Sequence, residues 1–542
     1  MSFAFPVKAA SYRLDIGSQM VNLLGKPVKK ITVNGALPGP TLHFTEGEAV
    51  TVMVTNHLDE TTSIHWHGFL IPATMDGVPG MNGFMGISPG ETFTYHFHVR
   101  QSGTYWYHAH SSSQEQDGLY GSIVITPKGK DKIQSDRDYV VLISDFADDA
   151  GTKILGNLKM DSGYYNYAKR TLGDFVNDVR KSGFSSAWKT TMNWGAMRMS
   201  PTDLSDVSGY IFLINGKTPL QNWTGVFTPH QRVRLRFINA SAMSIYDVRI
   251  PGLSLSVVQA DGQNTEPVKV DEFRLGNAET YDVIVEPQEA KAYTIVAEPI
   301  DRTGFALGTL APQVGMRGDL PPQRPRALLT MADMGMMSDS HDEHAGHAMS
   351  MDHDMADMQG MGATSSNDIK TGWADAHAPL GQRILDYKDL RYLGAQTDTR
   401  APTQEITVRL NGNMQRYVWT LNGKPHEESE PMMLSYGERV RLTFVNETMM
   451  AHPMHLHGMF MQLENGQSAE KLPNKHTVII PPGKTYSVLL SANEPGEWAF
   501  HCHLLYHMMS GMMTSINVTK ANTDNVAPKP VIIEDKGYHH VH

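Results

Sequence analysis

Apolar and polar residues alternate along short runs of this chain, as in VRLRF at 233–237 and VRLTF at 440–444. A period of two places successive side chains on opposite faces of an extended strand, one face for a core and one for its surroundings. Each run closes on an asparagine, Asn239 or Asn446, and is preceded by a turn signal, Asn215-Gly216 or Asn422-Gly423, with a third such signal at Asn34-Gly35. Asn-Gly between alternating runs is a strong short-range hairpin signal. Glycine and proline punctuate the runs throughout, so the pattern predicts an all-β chain of short strands.

The runs belong to one phrase used three times, at 31–69, 212–252 and 419–459. The ends of the copies also match, at 102–125, 289–311 and 495–518. A repeated phrase of strands and turns predicts three related β-sandwich domains. We place them at 1–127, 128–327 and 373–542. Two stretches interrupt the pattern: 151–210 reads as a helical insertion in the second domain, with YYNYAKRTLGDFVNDVRKSGF as its core. Residues 331–362, MADMGMMSDSHDEHAGHAMSMDHDMADMQGMG, are acidic and rich in Met and His. That composition cannot pack a core, so 328–372 is expected to be a flexible linker between the second and third domains.

Composition narrows the chemistry. The net charge of -11 leaves no basic field for phosphates and argues against a nucleic-acid partner. No apolar run is long enough for a helical membrane span. The start, MSFAFPVKAASYRLDIG, lacks the basic and apolar regions of a signal peptide, so the chain is expected to stay inside the cell or to be a mature exported form. The 33 methionines and 25 histidines are in excess, and thioether with imidazole points to copper.

The histidines are not scattered. Four His-x-His pairs stand at matched places in the repeat: His65/His67 and His108/His110 in the first copy, His455/His457 and His501/His503 in the third. The middle copy has none. An isolated pair reads most simply as surface or core histidine, but four at repeat-matched positions argue for metal. Between His501 and His503 lies Cys502, the single cysteine. On a strand, Cys502 faces away from its two neighbours, so one strand can serve two metal sites. Two histidines, a thiolate and a weak axial methionine are the donor set of an electron-transfer copper. His452, Cys502, His507 and Met512 supply it. In the first copy the matching residues are Thr62, Ala109, Gln114 and Leu119, so that set is missing there as a group. The remaining eight imidazoles suffice for about three copper ions, at the junction of the first and third domains.

The motifs HWHG, HAH, HPMHLHG and HCHLLYHMMSGM resemble those of the multicopper oxidases, over essentially the whole chain. HWHGFLIPATMDGVPG and HCHLLYH, with the Met/His-rich stretch, resemble the bacterial copper-resistance branch of that family. The resemblance implies three cupredoxin-like Greek-key domains. It implies a type 1 copper at His452, Cys502, His507 and Met512, and a type 2 copper at His65 and His455. It also implies a type 3 pair at His67, His108, His110, His457, His501 and His503. The implied reaction is one-electron oxidation of a donor coupled to four-electron reduction of dioxygen to water.

Asp76 matches the family's proton-supplying acid, set against an ordinary turn in MDGVPG. Met508 stands where certain cuprous oxidases carry a second acid, and Glu497 is the candidate left for that place. For the donor, Met450 and Glu447 before His452 form a candidate Cu(I) site, with packing as the plainer role for Met449 and Met450. Cuprous oxidation in copper detoxification, in the periplasm and alongside other copper-handling proteins, is the leading expectation. Laccase-like oxidation of phenols and copper sequestration by 331–362, with additional copper bound there, stay open beside it.

Overall fold

A computed structural model of the chain describes residues 9–23, 25–167, 169–196, 200–326, 328–329, 373 and 381–520. The Met/His-rich stretch at 331–362 lies outside them. Among the described residues, six sheets form, and they fall into three pairs whose strands come from Ala9–Thr126, Arg137–Ala311 and Gln404–Thr519. The same pairing recurs in each. One sheet pairs its first strand in parallel with an alternating run: Ala9–Asn22 with Ala49–Asn56, Arg137–Phe146 with Val233–Asn239, Gln404–Asn413 with Arg439–Asn446. The other pairs its last strand in parallel with an earlier one: Tyr120–Thr126 with Gly39–Thr45, Ala306–Ala311 with Trp223–Val226, Met513–Thr519 with Met432–Ser435. Parallel neighbours need crossovers between the two sheets of a sandwich, which is a Greek-key arrangement. The chain is mostly β.

The turn asparagines Asn34, Asn215 and Asn422 all adopt positive φ, between 50° and 53°. Each also accepts a backbone N–H from a neighbouring strand, at Asp15, Leu142 and Arg409. Asn tolerates this left-handed region better than most residues, and its amide satisfies backbone groups nearby. The strand-closing asparagines do comparable work. Asn446 donates to the carbonyls of Met450 and Ile480 and accepts from Thr448 N–H, so it fixes the loop that leads into His452.

Alternation holds in Ala49–Asn56 and Arg439–Asn446, where buried residues take every second position along most of the strand. It fails in Val233–Asn239, which is buried along its whole length. There the charged face packs against the first sandwich: Arg236 donates to Thr104 Oγ1 at 2.9 Å and is forked onto Asp138, while Arg234 pairs with Asp282 and Asp131. Paired carboxylates make that burial tolerable.

Three helices, Gly151–Met160, Leu172–Ser182 and Phe184–Ala196, lie between the first two strands of the middle unit. Among the described residues no helix is long and apolar enough to cross a membrane.

Candidate metal centre

The strand His65–His67 runs antiparallel to Gly103–His108, with His65 opposite His108. In the third sandwich His452–Leu456 lies between Thr477–Ile480 and Gly496–Cys502, with His455 opposite both Thr477 and His501. Trp66 points to the other face, fully buried and 5.2 Å from the Tyr95 ring. One face of the His-Trp-His strand is therefore core and the other is available for ligands. Across the junction His67 stacks on His455 and His65 on His457, each with ring centroids 3.8 Å apart.

Three groups of imidazole nitrogens converge, each within 4.8 Å: His65, His67 and His455; His67, His108 and His503; His110, His457 and His501. The outward nitrogens are held. His65 Nδ1 meets the Asp76 carbonyl at 2.9 Å, His455 Nδ1 the His476 carbonyl at 2.7 Å, and His501 Nδ1 the Cys502 carbonyl at 3.0 Å. Five of the inward ones are not: His65 Nε2, His67 Nδ1, His108 Nε2, His455 Nε2 and His503 Nε2 are buried without a partner. An unmade buried hydrogen bond costs about 1–3 kcal/mol, so five orphans around one space describe a site for cations. Burial drives His67, His108, His110, His455, His457 and His503 well below the ordinary imidazole range, and His501 down to about 4. Neutral imidazole is the form that binds a metal. The residues fit copper.

A second group sits on the far side of the same strand. Cys502 Sγ lies 3.5 Å from His452 Nδ1 and 3.8 Å from His507 Nδ1. Met512 is fully buried, and its backbone bonds to Cys502 N–H and to the His507 carbonyl. Burial pushes the Cys502 thiol up, so only a cation that displaces the proton makes it a thiolate. The outer nitrogens are again occupied: His452 Nε2 meets Thr448 Oγ1 and His507 Nε2 meets Asp206 Oδ2, both at 2.7 Å, while Trp419 stacks on His507. The first sandwich keeps this frame without the ligands. Ala109 N–H bonds to the Leu119 carbonyl as Cys502 N–H does to Met512, and Thr62 donates to Gln114 across the place the histidines would fill.

Asp76 is buried against the centre, its carboxylate 3.3 Å from His65 Nδ1 and 2.8 Å from His457 Nδ1. Glu497 is not among these groups; its carboxylate faces Ser515 and its backbone pairs with Asn82. Glu447 is half exposed and engaged by Arg409 and Asn411. Met450 and Met449 are buried, and both also line a cavity of about 120 Å³ with Met414, Asp203, Asp206 and Glu447.

Sequence reasoning missed Asp206, Glu115 and His476. His476 is buried 3.2 Å from His67 Nε2, and Asp261 of the middle sandwich accepts its backbone N–H. None of the three stands in a ligand motif.

Three family models described as multicopper oxidase match residues 15–130, 171–313 and 399–522. Copper resistance protein A of Escherichia coli is 44% identical, over 95% of this chain and 94% of its own length. Copper resistance protein A of Pseudomonas syringae pv. tomato is 43% identical, over 94% and 93%. Among solved structures, the laccase from Botrytis aclada is similar in fold, with a TM-score of 0.65 at 20% identity over 94% of this chain and 87% of that one.

Proposed function

Because the chain belongs to the multicopper oxidase family, with copper as its cofactor, we propose that the donor it oxidises is Cu(I). Bound copper supplies one-electron transfer and the reduction of dioxygen. The protein's part is to hold the ions, admit the donor and manage protons. In this reading His452, Cys502, His507 and Met512 hold the type 1 ion, and His65 and His455 the type 2 ion. His67, His108 and His503, with His110, His457 and His501, hold the type 3 pair. Cys502 belongs to one set while its sequence neighbours belong to the other, so a few covalent bonds link the two. Asp76 spans His65 and His457 and is placed to carry protons to the centre.

The observation that carries the choice of donor is the cavity beside His452 and His507. Met414, Met449 and Met450 offer thioethers, which prefer Cu(I), and Asp203 and Asp206 offer charge for a cation. Asp206 also bonds directly to His507, so a cation bound there would lie one side chain from the type 1 ligands. Leu329 and Trp373, the described residues that flank the Met/His-rich stretch, pack in one cluster with Met449 and Ala451. The composition of that stretch, rich in thioether and imidazole donors, supports a role for it in concentrating Cu(I). The resemblance to copper resistance protein A supports a periplasmic setting and exchange with other copper-handling proteins.

Oxygen uptake tests the proposal. Cu(I) should drive uptake of one dioxygen per four ions, with an intense visible thiolate-to-copper band, and Cys502→Ser should lose both. Uptake driven by a phenol but not by Cu(I) would assign the chain to the laccases. Full copper tolerance in cells carrying only Cys502→Ser would favour sequestration.

A further inference from the structure

One buried acid at the centre has no counterpart in the third copy. Glu115 is only 3% exposed, and its Oε2 lies 2.6 Å from His108 Nδ1. The repeat supplies an internal comparison. His108 and His501 are matched positions, and the Nδ1 of each also meets the carbonyl of the next residue, Ala109 or Cys502, at 3.0 Å. Among the described residues no carboxylate meets His501 Nδ1, whereas His108 Nδ1 has one in addition. Aligning HAHSSSQEQ with HCHLLYHMM puts Glu115 opposite Met508.

The second carboxylate oxygen of Glu115, Oε1, is buried without a partner. A buried carboxylate satisfied on one side alone is costly, and in a metal-free protein an apolar residue of similar size would serve folding as well or better. Its burial is reasonable where a neighbouring cationic group offsets its charge. A carboxylate on the outer nitrogen of a metal-binding histidine also fixes the tautomer, so that Nε2 faces the ion, and raises the basicity of that nitrogen.

We propose that Glu115 is a positioning residue of the cluster: it orients His108 and offsets cation charge from the first copy, at the place matched by Met508 in the third. The proposal rests on the assignment of His108 as a copper ligand, and wild-type protein that fails to take up its full copper complement would overturn that assignment separately.

Two measurements on Glu115→Met and Glu115→Gln separate positioning from plain structure. The first is the melting temperature of copper-free protein. The second is copper retained against a competing chelator, followed beside the Cys502–copper visible band. Glu115→Met should melt no lower than wild type without copper, yet release cluster copper at about 10–100-fold lower chelator strength with the visible band kept. Glu115→Gln, which keeps an acceptor but loses the charge, should fall between the two. A lower copper-free melting temperature with unchanged retention would make Glu115 structural only. Should Glu115→Met fail to fold, wild-type retention in Glu115→Gln overturns the proposal by itself.

Discussion

Asp206→Asn tests the donor site at its narrowest point. Asp206 is 6% exposed, and its Oδ2 accepts from His507 Nε2 at 2.7 Å and from Tyr417 Oη at 2.6 Å. Asparagine keeps a carbonyl oxygen in that place, so both donors retain an acceptor, and the loss in folding stability should stay below about 1.5 kcal/mol. What goes is the charge facing the cavity. A cation about 5 Å from a carboxylate gains about 3 kcal/mol at an effective dielectric of about 20. Solvent and salt at the mouth reduce that to about 1–2 kcal/mol, a rise of about 5–30-fold in the KM for Cu(I). A neutral phenol lacks this term, so its KM should move by less than about twofold. Steady-state oxygen uptake with each donor at fixed ionic strength reads both numbers, and the gap should narrow as salt is raised. If the KM for Cu(I) changes less than twofold, or the phenol KM rises equally, the cavity is not where the cation binds.

Of two further perturbations, one tests a support of the site and the other the ion pairs of the middle sandwich. Gly68 has φ of 78°, and a Cβ there would lie 2.4 Å from the His476 ring, so Gly68→Ala should cost about 2–5 kcal/mol from backbone strain and overpacking together; since His476 abuts His67, the melting temperature and the copper retained under a chelator should fall together. In the middle sandwich, burial raises the carboxyls of Asp247 and Glu298 but arginines more than offset it, Arg274, Arg302 and Arg324 at Asp247 and Arg324, Arg302 and Arg249 at Glu298, leaving both below the ordinary carboxylate range. A depressed carboxyl contributes stability that is present above its unfolded pKa and lost as pH falls through its folded one, so melting temperatures should drop below about pH 4. Arg324→Met, which removes a partner 2.6 Å from Glu298 and 3.0 Å from Glu272, should cost about 3–5 kcal/mol at neutral pH and flatten that acid response.

The converging histidines were legible because two independent regularities coincide in them, His-x-His spacing on a two-residue period and the threefold repeat. Their supports were not, because the partners are remote in sequence and carry no pattern. His67 and His476 are 409 positions apart, and Asp206 and His507 are 301. Polarity misleads at Gln114, Glu115 and Gln116: three consecutive polar residues in a turn read as solvent-exposed, yet all are at most 4% exposed. Tertiary packing buries them against hydrogen-bond partners the sequence does not place, Thr62 for Gln114, His108 for Glu115 and Tyr210 for Gln116. The charged face of Val233–Asn239 was hidden in the same way, since alternation cannot tell water from a neighbouring sandwich.

The middle sandwich is where this matters most. Among the described residues it holds none of the converging histidines, yet it reaches both groups from outside. Asp261 accepts the backbone N–H groups of His476 and Thr477 at 3.0 and 3.1 Å, and Lys475 lies 3.1 Å from its other oxygen. Those residues in turn meet His67 and His455. Asp206, from the same middle stretch of chain, fixes the outer nitrogen of His507. A copy of the repeat without His-x-His pairs therefore still fixes the orientation of histidines supplied by the third.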